Sequence, residues 1–245
     1  AADGADHNKD LAAGKETIVV DALRVTNLDD SYSYRLIGEL HVRNANGEDE
    51  GVLTDADGNA VKASLTWTGA QADQTMTFEN VDTSKLAGKD LVVFQTLYGT
   101  EDDLKAEDVS WTVLGIHADI ADDDQSVNIP KVGTTLLTGQ EIHESQVPED
   151  GQITLTDTVA YENVTPGHDY AVVGTLYTQE TDEDGKAVQG DAVATAMATF
   201  TAEETNGTVP VEFTFDATGL DGKSVVAFEV LYSSPVSDVA DGWTD

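Results

Sequence analysis

An all-β chain folded as two antiparallel sandwiches in tandem is what this sequence predicts, and three observations carry the prediction. Apolar and polar residues alternate over short runs, turn-forming dipeptides separate those runs, and the whole pattern occurs twice. No stretch shows a convincing helical period. Several short strands at such spacing indicate sandwiches of immunoglobulin type.

The strands follow in order. In the first half, alternation runs through residues 17–25, 33–42, 63–67, 75–78, 91–98 and 111–116, and a strand-like Ser126–Ile129 follows. In the second half it runs through 152–161, 169–177, 193–200, 208–215 and 224–232. Between runs stand Asp57-Gly58, Pro166-Gly167, Asp184-Gly185, Asn206-Gly207 and Asp221-Gly222, pairs that supply the backbone freedom of tight turns. An insertion, 44–57, precedes the third run and reads as a loop.

Self-comparison shows the repeat. Asp21-Ala22-Leu23-Arg24-Val25-Thr26-Asn27-Leu28 aligns with Asp157-Thr158-Val159-Ala160-Tyr161-Glu162-Asn163-Val164 at an offset of 136. Tyr34, Gly38 and Leu40 align with Tyr170, Gly174 and Leu176. The stretch from Leu86-Ala87-Gly88-Lys89 to Tyr98 aligns with that from Leu220-Asp221-Gly222-Lys223 to Tyr232 at an offset of 134. The boundary falls near Pro130, giving repeats 1–129 and 130–245.

Composition narrows the function. A formal charge of −35 over 245 residues repels free nucleic acid and anionic membrane surfaces, so neither is an expected partner. Hydrophobic residues make up 40%, enough, when patterned in this way, to build cores rather than a disordered acidic chain. No apolar run approaches the ~20 residues of a membrane span, and the N-terminus does not read as a signal peptide. The absence of cysteine excludes disulfides and thiolate chemistry, so any covalent staple is of another kind.

Strand phase locates polar groups on apolar faces, since alternate residues share a face. Asp157 stands among Ile153, Leu155, Val159 and Tyr161, and Asp21 shares a face with Val19, Leu23 and Val25. Glu229 lies with Val225, Ala227 and Leu231, and the equivalent position in the first repeat is Gln95, beside Val93 and Leu97. His117 follows Ile116, and Gln125 reads as sharing a face with Val127 and Ile129. A buried carboxylate must be paired or neutralised. Two readings follow: one hydrogen-bonded polar pair per repeat that specifies the core, or acids placed to drive a reaction between other buried groups.

The ordered motifs Asp-Thr-Val-x-Tyr, Tyr-x-x-x-Gly-x-Leu, Val-Ala-Phe-Glu-x-Leu-Tyr and His-x-Asp-Ile-x-Asp-x-x-Gln-Ser-Val resemble the Thr–Gln ester-bond domains (VaFE repeats) of Gram-positive surface proteins. The resemblance covers nearly the whole chain. It implies immunoglobulin-like stalk domains whose first and last strands are joined by an ester between a Thr hydroxyl and a Gln side chain, with loss of ammonia. In the first repeat it assigns Gln125 as the ester Gln, His117 as the assisting His and Asp21 as the first acid; Gln95 stands where the family has its second acid. In the second repeat it assigns Thr134 or Thr135 as nucleophile, with phase favouring Thr134, and Asp157 and Glu229 as the acids. By the spacing within the repeats, the first repeat's Thr falls upstream of Ala1 and the second's His and Gln fall beyond Asp245. The resemblance also implies an extracellular, cell-wall-anchored location through segments outside this chain. Neighbouring repeats are the expected partners, with any host-surface ligand bound elsewhere in the parent protein.

The other signals point to no cofactor, no metal and no turnover of an external substrate. Asp55-Ala56-Asp57-Gly58-Asn59 and Asp122-Asp123-Asp124 lack EF-hand spacing, and His143-Glu144 lacks the second His of a zinc motif. No first-strand Lys matches between repeats, against a Lys–Asn isopeptide. The alternative to a stalk is a ligand-binding adhesin domain on the same sandwich, without a cross-link, for which the insertion 44–57 is the candidate surface.

Overall fold

The computed structural model describes residues 1–4, 8–137 and 147–233, with only the backbone of 135–137. The chain divides into two compact units, Ala1–Pro130 and Lys131–Asp245.

Unit 1 contains β1 (Ala2–Asp3), β2 (Thr17–Arg24), β3 (Ser33–Arg43), β4 (Asp49–Val52), β5 (Lys62–Thr68), β6 (Asp73–Val81), β7 (Lys89–Thr100), β8 (Thr112–His117) and β9 (Ser126–Ile129), with a 3₁₀ turn at Asp123–Gln125. One sheet has the order β1-β2-β6; the other is β4-β3-β7-β8, with β5 also on β3 and β9 on β7. Val19, Met76 and Phe78 from the first sheet pack on Leu36, Leu40 and Val93 from the second. Unit 2 contains β10 (Lys131–Leu137), β11 (Gln152–Glu162), β12 (Asp169–Thr181), β13 (Ala187–Thr201), β14 (Gly207–Asp216) and β15 (Val225–Tyr232). Its sheets are β10-β11-β14 and β13-β12-β15. Leu155, Val159, Val211 and Phe213 face Val172 and Leu176 across its core. Both units are antiparallel sandwiches, as the alternation predicts.

Local chemistry recurs between the units. Asn27 and Asn163 take positive φ of 61° and 62° just after β2 and β11, a conformation Asn tolerates better than most residues. The Tyr34 hydroxyl accepts from Asp29 N at 2.6 Å and donates to Asp29 O at 3.1 Å. Tyr170 makes the same pair of bonds with Thr165 N and O, at 2.8 and 3.2 Å. At Gly38 and Gly174, side chains of the opposite sheet occupy the space a Cβ would take. A Cβ on Gly174 would lie 2.6 Å from Phe213 Cζ; one on Gly38 would meet Met76 Sδ and stand 2.8 Å from Phe78 Cζ.

The structure corrects three expectations. The insertion 44–57 is not a free loop: β4 lies within it and pairs with β3, His41 opposite Val52 and Arg43 opposite Asp49. Gln125 ends the 3₁₀ turn instead of extending the strand of Val127 and Ile129. Strands also run past their alternating cores because a partner supplies the ladder, as where β6 follows β2 from Thr17 opposite Val81 to Arg24 opposite Asp73. No helix among the described residues is long and apolar enough to cross a membrane.

Candidate functional site

In unit 2 the alternation of β11 sends Leu155, Asp157 and Val159 inward, and Asp157 is fully buried. Glu229 lies on β15, in the opposite sheet, directly across from Gly174 on β12. Two carboxyl groups thus meet inside the sandwich. Burial pushes the Glu229 carboxyl up to about 8, the hydrogen bond with Asp157 and its charge push the same way, and the Thr134 hydroxyl opposes them. Were both groups ionised, Asp157 Oδ1 and Oδ2 and Glu229 Oε1 would have no hydrogen-bond partner. A proton kept on Glu229 gives Asp157 a donor, so the pair holds one proton at neutral pH.

Thr134 sits on β10 opposite Val159, the core-facing residue two places beyond Asp157, and its hydroxyl bonds to Glu229. Thr135 lies opposite Thr158, and its side chain is outside the described part. Thr134, Glu229 and Asp157 therefore form a chain of contacts: hydroxyl, neutral acid, carboxylate.

Unit 1 builds a different cluster at the same place. Asp21 on β2 is fully buried opposite Met76, and Gln95 on β7 is buried opposite Gly38. Gln95 Nε2 donates to Asp21 Oδ2 and, at 2.7 Å, to Gln125 Oε1. Burial holds the Asp21 carboxyl above the ordinary aspartate range. Its Oδ1 has no hydrogen-bond partner, and the Ala1 nitrogen is 3.9 Å away. His117 on β8 lies opposite Gln95, but its side chain is exposed and its Nε2 is 3.1 Å from Asp122 Oδ2. Its charge bears on Asp21 without a direct contact. The structure thus brings Asp21, Gln95 and Gln125 together, with His117 at the rim held by Asp122.

The elements that deliver Gln125 escaped the sequence reading. Asp122 caps the 3₁₀ turn, accepting from Asp124 N at 2.9 Å. Arg43 donates to Asp90 at 2.8 Å, to Ile120 O at 3.1 Å and to Asp123 at 2.9 Å. Lys9 Nζ reaches the carbonyls of Asp123, Asp124 and Ser126 at 2.8, 3.1 and 2.9 Å. Two of the chain's twelve Lys and Arg side chains are thus spent on one short turn. Ile120, Asp122, Asp123 and Asp124 had a sequence signal, within the His-x-Asp-Ile-x-Asp-x-x-Gln stretch, whereas Arg43 and Lys9 had none.

Elsewhere the candidate loops are self-satisfied. Asp55 accepts from the backbone of Asp57 and Asn59, both at 2.9 Å, as an Asx turn does. No group of three or more potential metal ligands occurs among the described residues. His143 and Glu144 lie outside them.

Fold and site together define a class: an all-β sandwich module with a buried carboxyl on one sheet meeting a second polar side chain from the other. The chain belongs to the family of T-Q ester bond containing domains, whose model matches residues 1–129 and 130–242. Among solved structures it is similar to a bacterial adhesin from Mobiluncus mulieris containing intramolecular disulfide, isopeptide and ester bond cross-links, seen in two crystal forms. The first is 17% identical with a TM-score of 0.37, covering 85% of this chain and 74% of that one. The second is 16% identical with a TM-score of 0.38, covering 91% and 94%. No curated protein matches the chain significantly.

Proposed function

We propose that the chain is a structural stalk segment of a bacterial surface-anchored protein whose repeats close on themselves by autocatalytic Thr–Gln esters. The observation that carries this reading is the contact of Thr134 with Glu229, which is itself paired with buried Asp157. A Thr hydroxyl is a weak nucleophile and a carboxamide a poor electrophile, so the sandwich must supply proximity and proton handling. In unit 2, Thr134 Oγ attacks the Cδ of a glutamine carboxamide on a strand brought alongside β10. The C–O bond forms, the C–N bond breaks, and the hydroxyl proton leaves with ammonia by way of the acid pair. One neutral and one ionised acid, side by side, provide donor and base at the same pH. Each site reacts once, so the domain is not an enzyme in the turnover sense.

The cross-link fits a load-bearing role. Tying first strand to last lets tension bypass the intervening core. It also restricts the unfolded chain as a disulfide would, by about 4–5 kcal/mol for a loop of roughly a hundred residues. In a chain without cysteine, this is the staple that the residue types permit. Partners are then neighbouring repeats, the location is the outer cell surface, and anchoring and any host ligand belong to other segments of the parent protein.

The test is the intact mass of the parent chain with its residues on both sides of 1–245. A deficit of one ammonia within unit 2 is expected, counted apart from any loss in unit 1. A full mass overturns the reading.

A further inference from the structure

Gln95 stands where the family resemblance expects an acid, yet it is wired as a donor to both neighbours. With Asp21 ionised its oxygens only accept, and the nitrogen of Gln95 faces it, donating to Oδ2. That orientation leaves the second N–H of the same nitrogen for Gln125 Oε1, 2.7 Å away. A flipped amide would set oxygen against oxygen at Asp21. A carboxylic acid at this position has one proton and can serve only one of these acceptors.

We infer that Gln95 is a catalytic residue of unit 1: its carboxamide donates a hydrogen bond that it cannot lose by ionisation to the carbonyl of Gln125, and Asp21 alone carries the proton. This rests on the ester reading above. A threonine hydroxyl on the strand that runs in beside β2 attacks Gln125 Cδ. Its proton passes to Asp21 and then to Gln125 Nε2, which departs as ammonia as the C–N bond breaks. Through the tetrahedral intermediate the oxygen of Gln125 becomes negative, and the Gln95 N–H already points at it, as an oxyanion-hole donor does. Gln95 ends the reaction unchanged.

The two units then differ in their response to pH. Around Gln95 the groups that titrate or carry charge are Asp21 from β2, the Ala1 nitrogen 3.9 Å from Asp21, and His117 from β8, with Lys9 and Asp122 more distant. Residue 95 itself does not titrate. Around Glu229 stand Asp157 from β11 and the Thr134 hydroxyl from β10, and Glu229 loses its proton as pH rises through about 8. Unit 2 loses its donor there, while unit 1 keeps its own.

The experiment follows ammonia loss in each unit by peptide mass, in the parent chain refolded from denaturant at about pH 6 to about pH 9. Wild-type unit 1 is expected to keep its rate across the range in which unit 2 slows. Gln95→Glu is expected to make unit 1 slow with unit 2. Gln95→Met, similar in size and without a donor, is expected to slow unit 1 by on the order of 10²–10³-fold, the usual effect of deleting one such donor. Amide-proton NMR dispersion checks that the variants fold, and the Gln95→Glu profile decides the matter if the Met variant does not. Absence of ammonia loss from wild-type unit 1 overturns the inference, whether or not Gln95→Glu restores it. So does an unchanged rate in a folded Gln95→Met. Either result leaves unit 2 untouched, whereas failure of the ester reading itself shows as a full mass in unit 2.

Discussion

The two units place the same backbone geometry around different chemistry. In each, an aspartate on the second core strand is fully buried and faces a polar side chain across from a glycine: Asp21 with Gln95 by Gly38, and Asp157 with Glu229 by Gly174. Unit 2 satisfies its aspartate with a proton held on a second acid; unit 1 does so with an amide hydrogen. A buried aspartate needs a donor opposite it, and neutral acid and amide both provide one. They differ in what else they can do: the acid can release its proton, and the amide can reach a third group, here Gln125.

That contrast can be broken at its base. Asp157→Ala should abolish ammonia loss in unit 2 while leaving unit 1 unaffected, and Asp21→Ala should do the reverse, read by peptide mass on the parent chain. Reaction in unit 2 without Asp157 would remove the acid pair from the account.

The glycines sharpen the comparison next. Gly174→Ala forces a methyl against the Phe213 ring, which has nowhere to retreat in a packed core, and should lower unit 2 stability by about 1–3 kcal/mol. Gly38→Ala should cost less, because one of its two obstacles is the flexible thioether of Met76. Urea unfolding of each variant gives the order.

Glu229→Gln converts the unit 2 pair toward that of unit 1. Folded Glu229 keeps its proton up to about pH 8, whereas in the unfolded chain it releases it near the ordinary value of 4.5. The stability this group contributes is therefore complete below about pH 4.5, declines as pH rises, and is gone above about pH 8. The variant should lose that decline. The readout is the difference in urea midpoint between wild type and variant at either end of the window, which cancels the shared effect of the other carboxylates. Burial raises Asp21 in the same direction, so wild-type unit 1 should show a decline of the same sign.

The smallest effect belongs to a feature the units share. Tyr34→Phe and Tyr170→Phe each remove a hydroxyl bonded to both the amide and the carbonyl of one residue, and should cost about 1 kcal/mol apiece. Equal losses in thermal unfolding would show that the units differ in the polar pair and not in the frame.

Some of the site was legible in the sequence and some was not. Asp157 stood out because four apolar residues flank it at period two, and β11 buries that row. Glu229 and Gln95 were found because the repeat aligns them. Strand β4 was missed because Asp49-Glu50-Gly51-Val52 has no alternation; its pairing with β3 makes it a strand. Gln125 was read as part of the strand because nothing in the sequence marks the 3₁₀ turn just before β9, although its side chain still meets core-facing Gln95. The clamp of Arg43 and Lys9 left no trace, since its partners lie up to 117 residues away in sequence.

The sequence by itself determined the two all-β repeats and the faces on which their polar residues lie, because alternation and turn chemistry act between residues close along the chain. Only the tertiary structure decided that Gln95 would bridge Asp21 and Gln125, and that Thr134 would meet Glu229. Those contacts join strands of different sheets or a strand to a distant turn. Their distances depend on how closely the sheets pack, which in unit 2 is set by a glycine opposite a phenylalanine ring and in unit 1 by one opposite a methionine and a phenylalanine.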